Sequence, residues 1–273
     1  MSLIQLLILG LIQGISEWLP ISSSAHMILF EQFSSIQMYK DPLLNSNYLN
    51  LFTVMIQLGS IFAVLLLFKR QLNPFDPRKT QKGQAITYGL WIKVAVACLP
   101  TVIVGAFVSR FVDHYFHKAW VIAIMLALYG ILFILVENHP HPTRIYKLSQ
   151  MDIVTALKIG LAQIVSIIPG TSRSGASIMG ALLCGVDRKV ACEFSFFMSI
   201  PIMIGASVLK VVQYAAGVDI KGWLYIIGGC FISFIVSIYA IRFLINYIKN
   251  HDFKIFGVYR ILLAIVVILS LLF

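Results

Sequence analysis

Six apolar stretches, each close to the 20 or so helical residues that cross a bilayer, fix the solvent in which this chain folds. They run over residues 49–68, 85–109, 119–136, 190–215, 222–246 and 255–273. Charged residues are 12% of the chain, against about 25% in soluble domains. The expected fold is therefore all-α and polytopic, with about six transmembrane helices in one membrane domain spanning 1–273.

Two further apolar regions are too broken to cross. In 2–30 the run is interrupted by "QGISEWLPISSSAH" (13–26), and in 151–186 by "PGTSRSG" (169–175). Each reads as helix, polar tip, helix, with neither half long enough to span, which is the pattern of a re-entrant hairpin. The N-terminal "MSLIQLLILGLIQG" lacks a basic n-region and a small-residue cleavage site, so it is read as part of the fold.

The net charge of +10 is spread over short loops, without the basic stripe and interleaved aromatics of a nucleic-acid binder. Lys69, Arg70, Arg78, Lys79, Lys82, Arg144, Lys147, Arg188, Lys189, Arg242, Lys249 and Lys254 fall on one side of the predicted topology. Lys40, Arg110, Lys118 and Lys221 fall on the other. The positive-inside rule places the first group in the cytoplasm. The first hairpin then enters from outside and the second from the cytoplasm. The chain reads as two inverted repeats, about 1–136 and 151–273, each a hairpin followed by three spans. Aligning Pro20 with Pro169 sets Ser22 against Thr171 and Ser23 against Ser172, while "LFTVMIQLGS" (51–60) against "EFSFFMSIPI" (193–202) sets Phe52 against Phe194 and Gln57 against Ser199. Inverted repeats with broken helices bring binding sites to mid-membrane.

After each break a new helix begins, and its free amides and dipole attract an anion. With Arg173 in the second tip, amides, hydroxyls and a guanidinium fork together suit phosphate oxygens. Ionisable groups at this depth mark function, and Glu17 and Arg173 both qualify. Gln13 and Glu17, four residues apart, share a helix face. Plainer readings stay open: Ser22, Ser23 and Ser24 as turn and N-cap residues, and Glu17–Arg173 as an ion pair joining the halves. Ser195 and Ser199 are candidates to extend the site, and Glu193 faces an interface or the cavity. "HPHP" (139–142) is read as a solvated connector, and His114 and His117 beside Asp113 as surface. Lys93 and Arg260 are expected to snorkel from span ends. Cys98, Cys184, Cys192 and Cys230 lack CxxC spacing and read as small core hydrophobes.

With these residues the chain resembles the bacterial undecaprenyl pyrophosphate phosphatase family, known also for bacitracin resistance. The resemblance covers the whole chain and rests on "QGISEWLPISSSAH", "PGTSRSG", "FTVMIQLGS" and "EFSFFMSIP". It implies a hydrolase of the bacterial plasma membrane, with its site opening to the outer side. Such an enzyme removes the terminal phosphate of polyprenyl pyrophosphate and returns the monophosphate carrier lipid to peptidoglycan and envelope polymer synthesis. It also implies a divalent cation, Mg²⁺ or Ca²⁺, on Glu17. Some members carry Glu where this chain has Gln13, which weakens position 13 as a metal ligand. On this footing Arg173 and the amides of 171–175 and 23–26 hold the pyrophosphate. Ser23 is the candidate nucleophile, Glu17 the base or cation ligand, and His26 a proton carrier or serine orienter. Ser22, Ser24, Thr171, Ser172, Ser174, Gly175 and Gln57 are expected to bind the substrate. Direct attack by water activated by Glu17 and His26 is the competing chemistry. A polyprenyl-phosphate flippase or anion transporter on the same inverted repeat is the competing function. Beyond the lipid substrate and membrane lipids, a homodimer is the one partner considered.

Overall fold

Aspartates start four of the helices in this chain, and each is held by its own carboxylate. The computed structural model describes residues 1–116, 118–139 and 142–271. His117, Pro140 and His141 lie outside the described residues, as do the side chains of Arg110, Asp113 and His114. Within these bounds the chain forms α1 (Leu3–Ser16), α2 (Ser23–Phe33), α3 (Pro42–Leu67), α4 (Lys69–Leu72), α5 (Gln81–Phe116) and α6 (Ala119–Asn138). It continues with α7 (Ile153–Gln163), α8 (Arg173–Leu183), α9 (Arg188–Tyr214), α10 (Ile220–Tyr247) and α11 (Lys254–Leu269). Asp41 caps α3 through Leu44 N at 2.7 Å, with Pro42 in the first helical position where its missing N–H costs nothing. Asp152, Asp187 and Asp219 cap α7, α9 and α10 in the same manner. Ser2 and Gln5 close a capping box on α1.

Among the described residues five helices are long and apolar enough to cross a membrane: α3, α5 as far as Val108, α6, α9 and α10. The protein is thus an all-helical, multi-pass membrane protein. The sixth expected span forms α11, only 16 residues long. That is about 24 Å at 1.5 Å per residue, short of a hydrocarbon core of about 30 Å. Pro100 and Pro201 lie inside α5 and α9 without ending them, a tolerance seen where neighbouring helices satisfy the freed carbonyls.

Packing relates the two halves of the chain. The first hairpin helix of each half lies on a long span of the other: α1 on α10, and α7 on α5. Likewise α3 packs on α10 and α9 on α5, while α6 pairs with α11 and α3 with α9. Small residues permit the closest approaches. A Cβ at Gly160 would collide with the backbone of Ala97, so α7 and α5 touch main chain to main chain. The four cysteines are free, Cys98 and Cys192 buried and Cys184 and Cys230 half-buried.

Candidate active site

The two polar tips meet inside the protein. In the first, α1 ends at Glu17, the chain turns through Trp18–Ile21, and α2 begins after Ser22. In the second, α7 runs into a 3₁₀ turn (Ile164–Ile167), the chain bends through Pro169–Thr171, and α8 begins after Ser172. Ser22 and Ser172 both cap with positive φ, 74° and 71°, the only non-glycine residues to do so among those described. Their hydroxyls repeat one arrangement: Ser22 Oγ lies 3.2 Å from Ser24 Oγ, and Ser172 Oγ lies 3.2 Å from Ser174 Oγ.

This corrects the register expected from the prolines. The backbone equates Ser22 with Ser172, not with Thr171. The second tip holds one more residue between its proline and its cap, and it accommodates that residue with Gly170 at φ 92°. Ser23 and Arg173 then occupy the same place, the first residue of the helix after the break.

Glu17 is the centre of the contacts between the tips. It is 5% exposed, and each carboxylate oxygen is bonded. Oε1 accepts from Arg173 Nη2 at 3.1 Å, and Oε2 accepts from Gln13 Nε2 and from Ser23 Oγ, both at 2.9 Å. Arg173 also donates through Nη1 to the Ser195 carbonyl at 3.1 Å. The tips are stitched further by Ser174 Oγ to the Glu17 carbonyl at 3.2 Å and by Gly170 N to Ser24 Oγ at 3.5 Å. Ser172 Oγ accepts from Gly175 N, closing the first turn of α8. A Cβ on Gly175 would press on Ser172, Arg260 and Phe133.

Around this core several buried polar atoms have no protein partner: Gln13 Oε1, Thr171 Oγ1 and Arg173 Nε. Buried polar groups are nearly always paired, so the orphans on Gln13 and Arg173, the two side chains that donate to Glu17 alongside Ser23, leave room for a ligand's own polar atoms. Gln57 and Ser24 line a cavity of about 730 Å³ that runs past Thr53 and Asn50 to Lys40 and Lys210. It borders the first tip at Ser24, and Glu17, Ser23 and Arg173 do not line it.

His26 is placed otherwise than beside the serine hydroxyls. Its Nδ1 lies 2.7 Å from the Ser22 carbonyl and its Nε2 2.7 Å from Tyr259 Oη, and the two rings stack at 5.7 Å and 9°. A carbonyl only accepts, so Nδ1 carries the hydrogen and Nε2 faces the phenol. Ser195 contributes its carbonyl to Arg173 and its hydroxyl to Ser177 at 2.7 Å. Ser199 Oγ turns back to the Phe196 carbonyl of its own helix. Glu193 lies 3.9 Å from Lys189, in a separate cavity.

Arg260 overturns the expectation of a snorkelling side chain. It is fully buried, and its guanidinium donates to the carbonyls of Pro20 (3.2 Å), Gly170 (2.8 Å), Thr171 (2.9 Å) and Met125 (3.5 Å). Broken helices leave carbonyls unpaired, and here one guanidinium satisfies those of both tips at once. The Tyr129 ring lies 5.6 Å from it. Lys93, by contrast, reaches only the Leu148 carbonyl near its own span end. Tyr259 and Arg260 sit in an apolar helix with no motif around them, and only the presence of a cation inside a span signalled either.

The family described as bacitracin resistance protein BacA matches residues 6–266. An undecaprenyl-diphosphatase of Enterococcus faecalis is 44% identical, covering 98% of this chain and 96% of its own length. Undecaprenyl-diphosphatase 1 of Clostridioides difficile is 45% identical, over 96% and 93%. An undecaprenyl-diphosphatase of Streptococcus thermophilus is 42% identical, over 97% and 92%.

Proposed function

The chain belongs to the bacitracin resistance protein BacA family, and from that premise we propose how it works as an undecaprenyl-diphosphatase. It is a membrane hydrolase that cleaves the phosphoric anhydride of a polyprenyl pyrophosphate, giving the monophosphate lipid and phosphate. Its helix pairing is read as two inverted repeats, with the site opening to the outer face of the plasma membrane and the basic loops inside.

The observation that carries the mechanism is the double use of Glu17, which accepts from the Ser23 hydroxyl and from Arg173 on opposite oxygens. In this reading Arg173 and the amides that open α2 and α8 clamp the pyrophosphate. Phosphoryl transfer is mainly positioning and charge neutralisation, so the clamp carries much of the rate. Glu17 takes the Ser23 proton as the Ser23 oxygen bonds to the terminal phosphorus. The bridging P–O bond breaks and the lipid monophosphate leaves. Water then cleaves the phosphoserine, releasing phosphate and returning the proton to Ser23. Ser22, Ser24, Thr171, Ser172, Ser174, Gly175 and Gln57 line the phosphate's surroundings, and Arg260 holds both tips in register as a positioning residue. His26, tied to Tyr259, steadies the Ser22 carbonyl at the start of α2. A carrier of an intact anion has no use for a serine hydroxyl hydrogen-bonded to a carboxylate, which favours hydrolysis over the transport reading.

The donor set fits a divalent cation bound together with substrate. Among the described residues no three His, Cys, Asp or Glu side chains gather, so the protein offers no closed cage. Glu17 and the unpaired Gln13 Oε1 supply hard oxygens, and magnesium sites routinely take the rest from phosphate and water. The cation would add charge neutralisation on the phosphate oxygens.

Phosphate release from polyprenyl pyrophosphate by the purified protein tests the assignment. Near wild-type turnover in both Arg173→Ala and Glu17→Gln would sink it.

A further inference from the structure

A second cavity, of about 450 Å³, opens at the far end of the fold. It lies between α4, the first turns of α5, the segment 146–149 and the start of α9. We propose that it binds the phosphate-bearing headgroup of an anionic glycerophospholipid, at the membrane face that carries most of the loop cations.

The two cavities lie at opposite ends of α3 and α9, and neither Glu17, Ser23 nor Arg173 lines this one. Gln57 and Lys210 line the large cavity, whereas Arg70 and Glu193 line this one, so α3 and α9 run between the two in opposite senses. From Glu193 to Lys210 helix α9 rises about 25 Å between the two cavities, while Ser195, whose carbonyl holds Arg173, stands two residues from Glu193, between them. Aromatic rings fill the space near the tips: Trp18 packs edge-on to Phe196 at 5.2 Å, and Phe68 lies 5.3 Å from Phe197. A ligand here does not share the reacting phosphate's pocket.

Charge selects the ligand class. Arg70, Lys79, Lys147 and Lys189 line the cavity together with Asp187 and Glu193. Asp187 is committed to the helix start, accepting from Lys189 N at 3.0 Å and Val190 N at 3.4 Å. Glu193 is paired with Lys189. Lys79 is fixed by the carbonyls of Gln71 and Asn73 and by the Thr87 hydroxyl, so its charge cannot swing away. Among the described residues, Arg70 and Lys147 have neither an ion pair nor a side-chain hydrogen bond. The cavity thus holds two uncommitted cations above a fixed one.

The floor distinguishes a lipid from a free anion. It is made by Ile86, Leu90, Leu148 and Val190, and Ile86 on α5 is 46% exposed. A free phosphate gains nothing from that surface, whereas a glycerol backbone with its acyl chains covers it while the headgroup meets Arg70 and Lys147. Basic pockets between membrane helices take such headgroups.

The test is native mass spectrometry of the full-length protein from nanodiscs holding equal phosphatidylglycerol and phosphatidylcholine. The wild type is expected to retain phosphatidylglycerol preferentially. Arg70→Gln/Lys147→Gln, at two exposed positions, is expected to lose about fivefold of that preference per charge removed. Arg173→Lys, in the other site, is expected to keep it. Equal retention of the two lipids, or wild-type retention by the double variant, would overturn the proposal. Displacement of the retained lipid by inorganic phosphate would overturn it in favour of a free anion.

Discussion

The Ser23 hydroxyl donates to Glu17 Oε2 at 2.9 Å, across a helix break, while the opposite oxygen of that carboxylate holds Arg173. This is the geometry that the proposed mechanism requires of a nucleophile and its base, and the guanidinium holds the carboxylate in place.

Ser23→Ala is expected to lower turnover at least about a hundredfold, the usual reach of a positioned acid or base. Glu17→Gln is expected to fall by a similar factor. Glu17→Ala is a poorer probe, because it also removes the oxygen that accepts from Arg173, whereas a glutamine amide keeps an acceptor there. Rapid quenching with labelled pyrophosphate separates the two chemistries: label on Ser23 marks the covalent route, and its absence with Ser23→Ala still active marks direct attack by water.

Arg260→Met is expected to destabilise the protein by about 3 to 5 kcal/mol, because removing it orphans buried carbonyls on both tips. Arg260→Lys is expected to recover only part, since an ammonium is a point charge and cannot span Pro20 and Thr171 with a planar fork. Thermal unfolding in detergent reads both. An Arg260→Met variant as stable as wild type would remove the guanidinium from the account of how the tips are held.

Much of the fold was legible because it is written in local chemistry. Apolar length gave five of the six expected spans, and the polar interruptions gave the two broken helices and the residues that meet. What escaped depends on contacts distant in sequence. Arg260 lies 240 residues from Pro20 and 90 from Gly170, and nothing in "YRILLAIVV" says that its guanidinium turns inward. Tyr259 was invisible for the same reason. The register between tips was misread because proline marks a bend without fixing how many residues complete it. Gly170 at positive φ absorbs the extra one. Asp41-Pro42 was a readable helix start, seven residues before the apolar run at 49.

Ser22→Gly is expected to stabilise the protein by about 1 kcal/mol, since the φ of 74° strains any residue with a Cβ and the Ser22 side chain caps no amide. Ser172→Gly removes the same strain but also the cap on Gly175 N, so its net change is expected to be near zero. Comparing the two unfolding midpoints tests whether the strain is real; destabilisation by Ser22→Gly would show that its hydroxyl contact with Ser24 matters more than its backbone.

Gly160→Ala is expected to cost about 1 to 3 kcal/mol, the penalty of overpacking. The added methyl meets the Ala97 backbone rather than a movable side chain, so α5 and α7 must part. Gly89, with open space at its Cβ position on α5, is the control: Gly89→Ala is expected to be neutral or slightly stabilising by helix propensity. Equal midpoints for the two variants would show that the helices are not in close contact at Ala97.

Gln13→Glu tests the proposal that Glu17 and position 13 hold a cation. The Gln13 amide now donates to Glu17, so one negative charge faces one guanidinium. A second carboxylate there removes that hydrogen bond and adds a charge that Arg173 alone cannot balance. Oxygen sites for Mg²⁺ and Ca²⁺ gain affinity with ligand charge, so Gln13→Glu is expected to tighten binding on the order of tenfold. Calorimetric titration of the substrate-free protein with Ca²⁺ reads this without any reaction taking place. Unchanged affinity would place the cation away from position 13. Loss of the variant's fold in chelator, with recovery on adding Ca²⁺, would show that the ion takes over the neutralising role of the amide.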